Sequence, residues 1–437
     1  MSHVVEPEPQ RGEWSSERAF VLSTAAAAVG LGNLWRFPYM AGENGGAAFV
    51  LAYLVALVVV GMPVMILELT GGRFGRGGPI ATFRRIHPRA ALVGWLVVGL
   101  TTLIVSYYLV ITGWTLGYAL LSFTGDFPTF GDFTEGYASV WYFVAVLVLT
   151  AGLLLFGLAG IEKKALFTMP LLLAVILGLA IFGLTFGEGR SEAASFLLDP
   201  DFTMLASPTL WLLAFGQAFY SLAVGQGYLI TYGSYLPKRV NVPRAAGTIA
   251  VIETSVALLA GWMIFPLVFA MGLAPDEGSE LAFNTLPRAF DDIPLGTAVG
   301  ILFFVLFFTA AFSSCIAGLK VVVTAVREEL NLAHRKAVLL AALGAGVLGI
   351  PSALSFTPME LTLFGEPVLD VMDALAATQV VVICGVAGAG VISWLLPQKR
   401  LLAKLGTLWV GPALGVIWVA RLLFIPGAAI LVGSWWE

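Results

Sequence analysis

Ala28-Val29-Gly30-Leu31-Gly32 and Ala223-Val224-Gly225-Gln226-Gly227 are two versions of one phrase, each set in the middle of a long apolar run. A glycine costs a helix up to about 1 kcal/mol relative to alanine, so two of them one residue apart loosen it. In a bilayer such a break strands backbone N–H and C=O groups away from water, and it persists only where it lines a polar cavity. Small residues that merely let helices pack closely recur at Gly-x-x-x-Gly spacing instead. The tighter spacing, present in both halves of the chain, points to a pair of broken helices flanking a binding site.

Working outward, 59% of the 437 residues are apolar and 11% charged, against about 25% charged in an ordinary soluble domain. The composition describes an all-α integral membrane protein with about eleven transmembrane helices. They fall at 18–39, 46–70, 91–123, 141–159, 166–186, 208–236, 245–272, 295–326, 337–353, 369–396 and 407–431. The net charge of −4 sums loops on opposite sides, so placement carries the information. Alternate loops are basic: Arg73, Arg76, Arg84, Arg85 and Arg89, then Lys163 and Lys164, then Lys238, Arg239 and Arg244, then Arg327, Arg335 and Lys336, then Lys399, Arg400 and Lys404. The others hold Asp126, Asp132, Glu135, Glu188, Asp199, Asp201, Asp276, Glu277, Asp291 and Asp292, with only Arg190 and Arg288 opposed to them. The positive-inside rule then puts the N-terminus in the cytoplasm and the C-terminus outside a plasma (inner) membrane.

Residues 1–12 read as a cytoplasmic tail without a cleavable signal. Cys315 and Cys384 lie inside spans, which argues against a disulfide framework. His3, His87 and His334 have no metal-site spacing, and no phosphate-binding loop, nucleophile elbow or zinc pattern occurs. Topology accounts for the basic loops without nucleic acid. An enzyme is not expected, nor an organic cofactor.

Ionisable residues inside a membrane cost roughly 2.5–3.5 kcal/mol each on insertion scales and are functional candidates by default. Arg36 follows the first break, and Asp373 lies near the outer end of the tenth span, after Asp370. At similar depth the two close a cavity as a gating pair; otherwise Arg36 is a static interfacial anchor. Glu68 and Glu253 are carboxylates that need a cation or a proton if buried. Lys320 either pairs with one of them or faces a water-filled inner path, and Arg421 packs against headgroups or a neighbour. The hydroxyls of Ser313 and Ser314, with carbonyls freed by an unwound helix, form an uncharged oxygen cage suited to Na⁺.

At these residues the chain resembles the neurotransmitter:sodium symporter family, in its bacterial amino-acid branch with the LeuT fold. The resemblance runs from about Trp14 to Trp394. It is carried by the segment Val29 to Tyr39, by Glu43-Asn44-Gly45-Gly46, by Tyr107-Tyr108 with Gly113-Trp114-Thr115-Leu116-Gly117, and by Ile230-Thr231-Tyr232-Gly233-Ser234-Tyr235. It implies an inverted five-plus-five repeat, 13–190 against 191–396, with helices one and six broken and 397–437 forming the last span and an extracellular terminus. One sodium would be held by the Ala28 carbonyl, Asn33, Ser221, Glu253 and the substrate carboxylate. A second would take the carbonyls of Ala26, Val29 and Ala310 and the hydroxyls of Ser313 and Ser314.

The same resemblance places a substrate carboxylate at the N–H groups of Leu31 and Gly32 and the Tyr108 hydroxyl, where a half-helix N-terminus favours negative charge. The ammonium would meet carbonyls near Ala28, Tyr220 and Ser221. Gly30 stands where amine-carrying relatives have Asp, so an amino acid is implied as cargo. The side-chain pocket would be Ile104, Tyr108, Tyr220, Ala223, Gln226, Ser314 and Gly318. Ala223 and Gly318 are expected to enlarge it. Gln226 either bonds a polar or aromatic substrate or turns to the unwound backbone. Arg36, Gln217 and Asp373 would form the outer gate, and Arg11 with Glu328, supported by Trp14 and Tyr235, the inner one. Relatives that need chloride bind it near Tyr53, where Glu253 would supply the charge instead.

The resulting expectation is sodium-coupled, chloride-independent import of a neutral, large amino acid by alternating access, by a monomer or weak dimer. Lys320, where bacterial relatives carry Glu or Gln, leaves open a sodium-independent or proton-coupled exchanger. A transport-inactive sensor is the other rival.

Overall fold

A computed structural model describes residues 13–125, 127–155, 158–186, 189–276, 278–292, 295–405, 414–419 and 421–422. Among the described residues the regular secondary structure is helical except for one two-stranded ladder, Thr362–Leu363 with Glu366–Pro367. Six unbroken helices among the described residues are long and apolar enough to cross a bilayer: Ala47–Gly75, Pro88–Thr124, Val242–Ala270, Gly296–Glu329, His334–Ala353 and Val368–Leu395. They are spans two, three, seven, eight, nine and ten. Ala138–Leu154 and Leu158–Phe186 supply the fourth and fifth. Most of the eleventh, expected at 407–431, lies outside the described residues.

The first span begins at Ser16, whose hydroxyl caps the Ala19 N–H at 3.0 Å, and runs as a helix only to Ala28. Val29 is extended (φ −72°, ψ 114°), and the chain resumes through a wide turn, Gly32–Arg36, into Phe37–Glu43. The sixth span stops at Ser221 and restarts at Tyr228. Between them Ala223, Gly225 and Gly227 have φ of 55°, 77° and 72°. Glycine takes that conformation freely, whereas Ala223 takes it under strain.

Both breaks are thus where the doubled phrase placed them. The backbone groups released in the sixth span find side chains: Gly225 N–H donates to Glu68 Oε1 at 3.0 Å, Gln226 Nε2 to the Tyr220 carbonyl at 3.1 Å, and Thr101 Oγ1 to the Gln226 carbonyl at 2.5 Å. Glu68, expected to require a cation or a proton, caps unwound backbone through Oε1, while its buried Oε2 has no hydrogen-bond partner among the described residues.

Packing sets the broken spans at the centre. The two halves of the sixth lie on the two halves of the second, Pro208–Ser221 on Ala47–Ala56 and Tyr228–Gly233 on Met62–Gly75. Glu17–Ala28 lies among the fifth, seventh and eighth spans, and the third and eighth pack along each other. Loops with Arg84, Arg85 and Arg327 mark one end of the bundle, called here the basic end; those with Asp132, Asp201 and Asp276 mark the acidic end.

Candidate functional site

Asn33 and Glu253, both fully buried, face each other across the first and seventh spans. Asn33 Nδ2 donates to Glu253 Oε1 at 2.6 Å and to the Glu253 carbonyl at 3.0 Å, while Asn33 Oδ1 accepts from Gly30 N–H at 3.3 Å. On the other side of the carboxylate, the Tyr53 hydroxyl lies 3.5 Å from Oε2 and 3.3 Å from Ser221 Oγ, with Thr254 Oγ1 also donating to Oε2 at 3.3 Å. The break therefore gathers a carboxylate, an amide oxygen and a hydroxyl. Hard oxygen donors of this kind suit Na⁺.

A second oxygen cluster sits between the first and eighth spans. Ser313 Oγ donates to the Ala26 carbonyl at 2.8 Å and the Ala310 carbonyl at 2.7 Å, and Ser314 Oγ to the Val29 carbonyl at 3.4 Å. All five groups named from the sequence are brought together, and none carries formal charge. Ile104, Tyr108, Tyr220 and Ala223, four of the residues expected to line the side-chain pocket, are all buried. Beside the first break the Leu31 N–H donates to the Tyr108 hydroxyl at 2.7 Å. A Cβ on Gly30 would collide with that hydroxyl and with Ser314 Oγ, and one on Gly32 would press the Tyr220 ring at 3.2 Å.

At the expected side-chain pocket one open alternative is resolved and one expectation changes. Gln226 gives its amide to the Tyr220 carbonyl, which is the backbone-directed of its two readings. Gly318 opens no space, because a Cβ there would collide with the Tyr228 hydroxyl and meet Val105 Cγ2 at 2.5 Å. Lys320 is buried two residues further along the same helix.

Toward the acidic end a hydrogen-bonded network surrounds Arg36. Its Nε bonds Asp373 Oδ2 at 3.0 Å, Nη1 bonds Gln217 Oε1 at 2.6 Å, and Nη2 bonds Thr378 Oγ1 at 2.8 Å. The Arg36 and Asp373 side chains are 1% and 5% exposed, so the pair is buried within the protein. The guanidinium lies 5.2 Å from the centre of the Tyr220 ring, and Gln217 Nε2 donates to the Gly32 carbonyl at 2.8 Å. Sequence reasoning missed three members. Tyr39 donates to Asp373 Oδ2 at 2.6 Å and Tyr107 to Oδ1 at 3.0 Å, with Thr378 on the arginine. The Tyr107-Tyr108 doublet was the available hint.

At the basic end Trp14 is buried; its backbone N–H donates to the Tyr235 carbonyl at 3.2 Å and its Nε1 to the Tyr232 carbonyl at 3.1 Å. Arg76, in left-handed conformation at φ 46°, bonds the Ser234 carbonyl at 3.3 Å and Glu13 at 3.2 Å. Glu328 Oε2 accepts from Gly78 N–H at 2.9 Å. The pairing of Arg11 with Glu328 lies outside the described residues. Arg421, given no role, donates twice to the Ser393 carbonyl at 3.0 and 2.8 Å and lies over Trp394 and Trp418.

Known proteins share this arrangement of elements. The model of the sodium:neurotransmitter symporter family matches residues 11–137 and 131–433. The chain is 34% identical over 443 residues to an uncharacterized sodium-dependent transporter, YhdH, of Bacillus subtilis (strain 168), covering 96% of each. It is 29% identical over 357 residues to the sodium- and chloride-dependent taurine transporter of Rattus norvegicus, covering 68% of this chain and 57% of that protein. The crystal structure of MhsT in complex with L-phenylalanine superposes with a TM-score of 0.91 at 36% identity, over 97% of this chain and 99% of that one.

Proposed function

Because the chain belongs to the sodium:neurotransmitter symporter family, we propose that it imports a neutral amino acid with a large side chain, aromatic or polar, together with sodium and without chloride. Membership makes it a sodium-dependent multi-pass membrane transporter and not an enzyme. The cargo rests on one observation. Around Gly30 there is no room for a side-chain carboxylate, while the Leu31 N–H and the Tyr108 hydroxyl stand together at the break. The negative charge that these donors and the first oxygen cluster call for must come with the substrate, as an amino acid's own carboxylate. The L-phenylalanine bound to MhsT supports an amino acid of that size.

In this reading the basic end faces the cytoplasm. One sodium sits among Ala28, Asn33, Ser221 and Glu253 with the substrate carboxylate completing its shell; the other sits among Ala26, Val29, Ala310, Ser313 and Ser314. Binding draws the broken first span together, the Arg36–Asp373 closure seals the acidic end, and release follows parting of the Trp14 contacts at the basic end. The repeats 13–190 and 191–396 supply the two moving halves. One charge moving inward across 100 mV supplies about 2.3 kcal/mol, before any concentration gradient. Chloride independence is supported by Glu253, whose carboxyl group, a fixed or protonatable charge, lies beside Tyr53 and Ser221.

The test is a thermal-shift screen of the purified transporter with all twenty amino acids in Na⁺ and in K⁺, since a ligand of the native state stabilises it by RT ln(1 + [L]/Kd). A shift for large neutral amino acids in Na⁺ alone supports the reading. Equal shifts in both salts would overturn sodium-coupled binding of this cargo.

A further inference from the structure

Tyr228 is the first residue of the inner half of the sixth span, set by the left-handed Gly227 that precedes it. Its side chain is 5% exposed and its hydroxyl points to the Ser314 carbonyl at 3.5 Å. A Cβ on Gly318 would collide with that hydroxyl and stand 3.1 Å from Tyr228 Cζ, with Val105 closing the other side. Gly318 lies one helical turn from Ser314, and Val105 nearly one turn from Tyr108. Ser314 and Tyr108 are the two groups that crowd Gly30. The third and eighth spans run in opposite directions, so both offsets point the same way, toward the basic end. The Tyr228 phenol therefore lies about one turn on the basic side of the groups that crowd Gly30, packed against Ser314, Gly318 and Val105.

We propose that Tyr228 limits the length of the substrate side chain, and that Gly318 is glycine to seat the Tyr228 phenol rather than to admit a larger substrate. The proposal rests on the amino-acid reading of the pocket and deepens it. A side chain extending from a backbone held at Gly30 and Tyr108 runs toward the phenol and stops against it. Gln226, turned to the Tyr220 carbonyl, leaves that task to Tyr228.

The experiment measures sodium-dependent binding of alanine, valine, leucine, phenylalanine and tryptophan to the purified full-length protein and to Tyr228→Ala, with Tyr228→Leu as the variant that keeps more packing. Shortening the Tyr228 side chain is expected to improve the longest side chain relative to leucine by about tenfold or more, the scale on which a methylene or two is discriminated in an apolar pocket. Gly318→Ala is expected to weaken every ligand by displacing the phenol, and Tyr228→Ala in the same chain to relieve that loss, so the two changes are non-additive. An unchanged ranking in both Tyr228 variants, with all ligands weakened by one common factor, would overturn the proposal, as would additivity with Gly318→Ala. Failure of the amino-acid reading looks different, because the wild type would then bind none of the five.

Discussion

Asn33 Nδ2 lies 2.6 Å from Glu253 Oε1, a contact that joins residues 220 apart and fixes the first break against the middle of the seventh span. With Tyr53 and Ser221 beyond it, the carboxylate is the one formal charge in the first oxygen cluster.

Glu253→Gln preserves the shape of that cluster and removes its charge. A charge-bearing contact is worth about 1.5–3 kcal/mol, so half-saturation for sodium is expected to rise about 10- to 100-fold, with added chloride recovering part of the loss. Sodium titrations of binding in chloride and in gluconate check this. Superimposable curves for variant and wild type would remove Glu253 from the site.

At the acidic end, Asp373 takes one arginine and two tyrosine donors. Asp373→Asn leaves Arg36 as a buried charge without its counter-charge and is expected to cost about 3–5 kcal/mol. Tyr39→Phe removes a single hydrogen bond to a charged group and is expected to cost about 1.5–3 kcal/mol. In substrate-release kinetics Tyr39→Phe should speed dissociation without altering which amino acids bind. A change in selectivity would place Tyr39 in the pocket instead of the gate.

Gly30→Ala introduces a methyl group that collides with both Tyr108 and Ser314. Equilibrium binding of any amino acid is expected to weaken at least about 100-fold, an overpacking cost of about 3 kcal/mol. Retained binding would mean that the carboxylate docks elsewhere.

Glu68 separates acceptor geometry from charge. Glu68→Gln still presents a carbonyl oxygen to the Gly225 N–H and should change stability little. Glu68→Ala leaves that N–H unsatisfied and should cost about 1–3 kcal/mol. Thermal unfolding in detergent distinguishes them. Equal losses for the two variants would show that the charge matters more than the cap.

Local chemistry carried the reading a long way. The helix breaks, the span pattern, Arg36 facing Asp373 and the Ser313-Ser314 hydroxyls could be read directly, because each depends on the cost of glycine, of charge or of bare backbone in a bilayer. Those costs are paid by residues close together in the chain, or by charges too rare to mistake.

Other features were settled only when distant segments met. Tyr39, Tyr107 and Thr378 look like ordinary aromatic and hydroxyl residues until they close on partners 334, 266 and 342 positions away. Glu68 read as a carboxyl in need of a cation or a proton, and only the packed chain shows that Gly225, 157 positions on, presents a bare N–H to it. Gln226 had two available partners, and the unwound backbone took it. Gly318 suggested empty volume, yet the shape of a pocket depends on what every neighbouring helix projects into it, and Tyr228 from another span fills that volume. Composition and spacing determine which groups must escape the lipid; only the packed bundle decides which partner each one reaches.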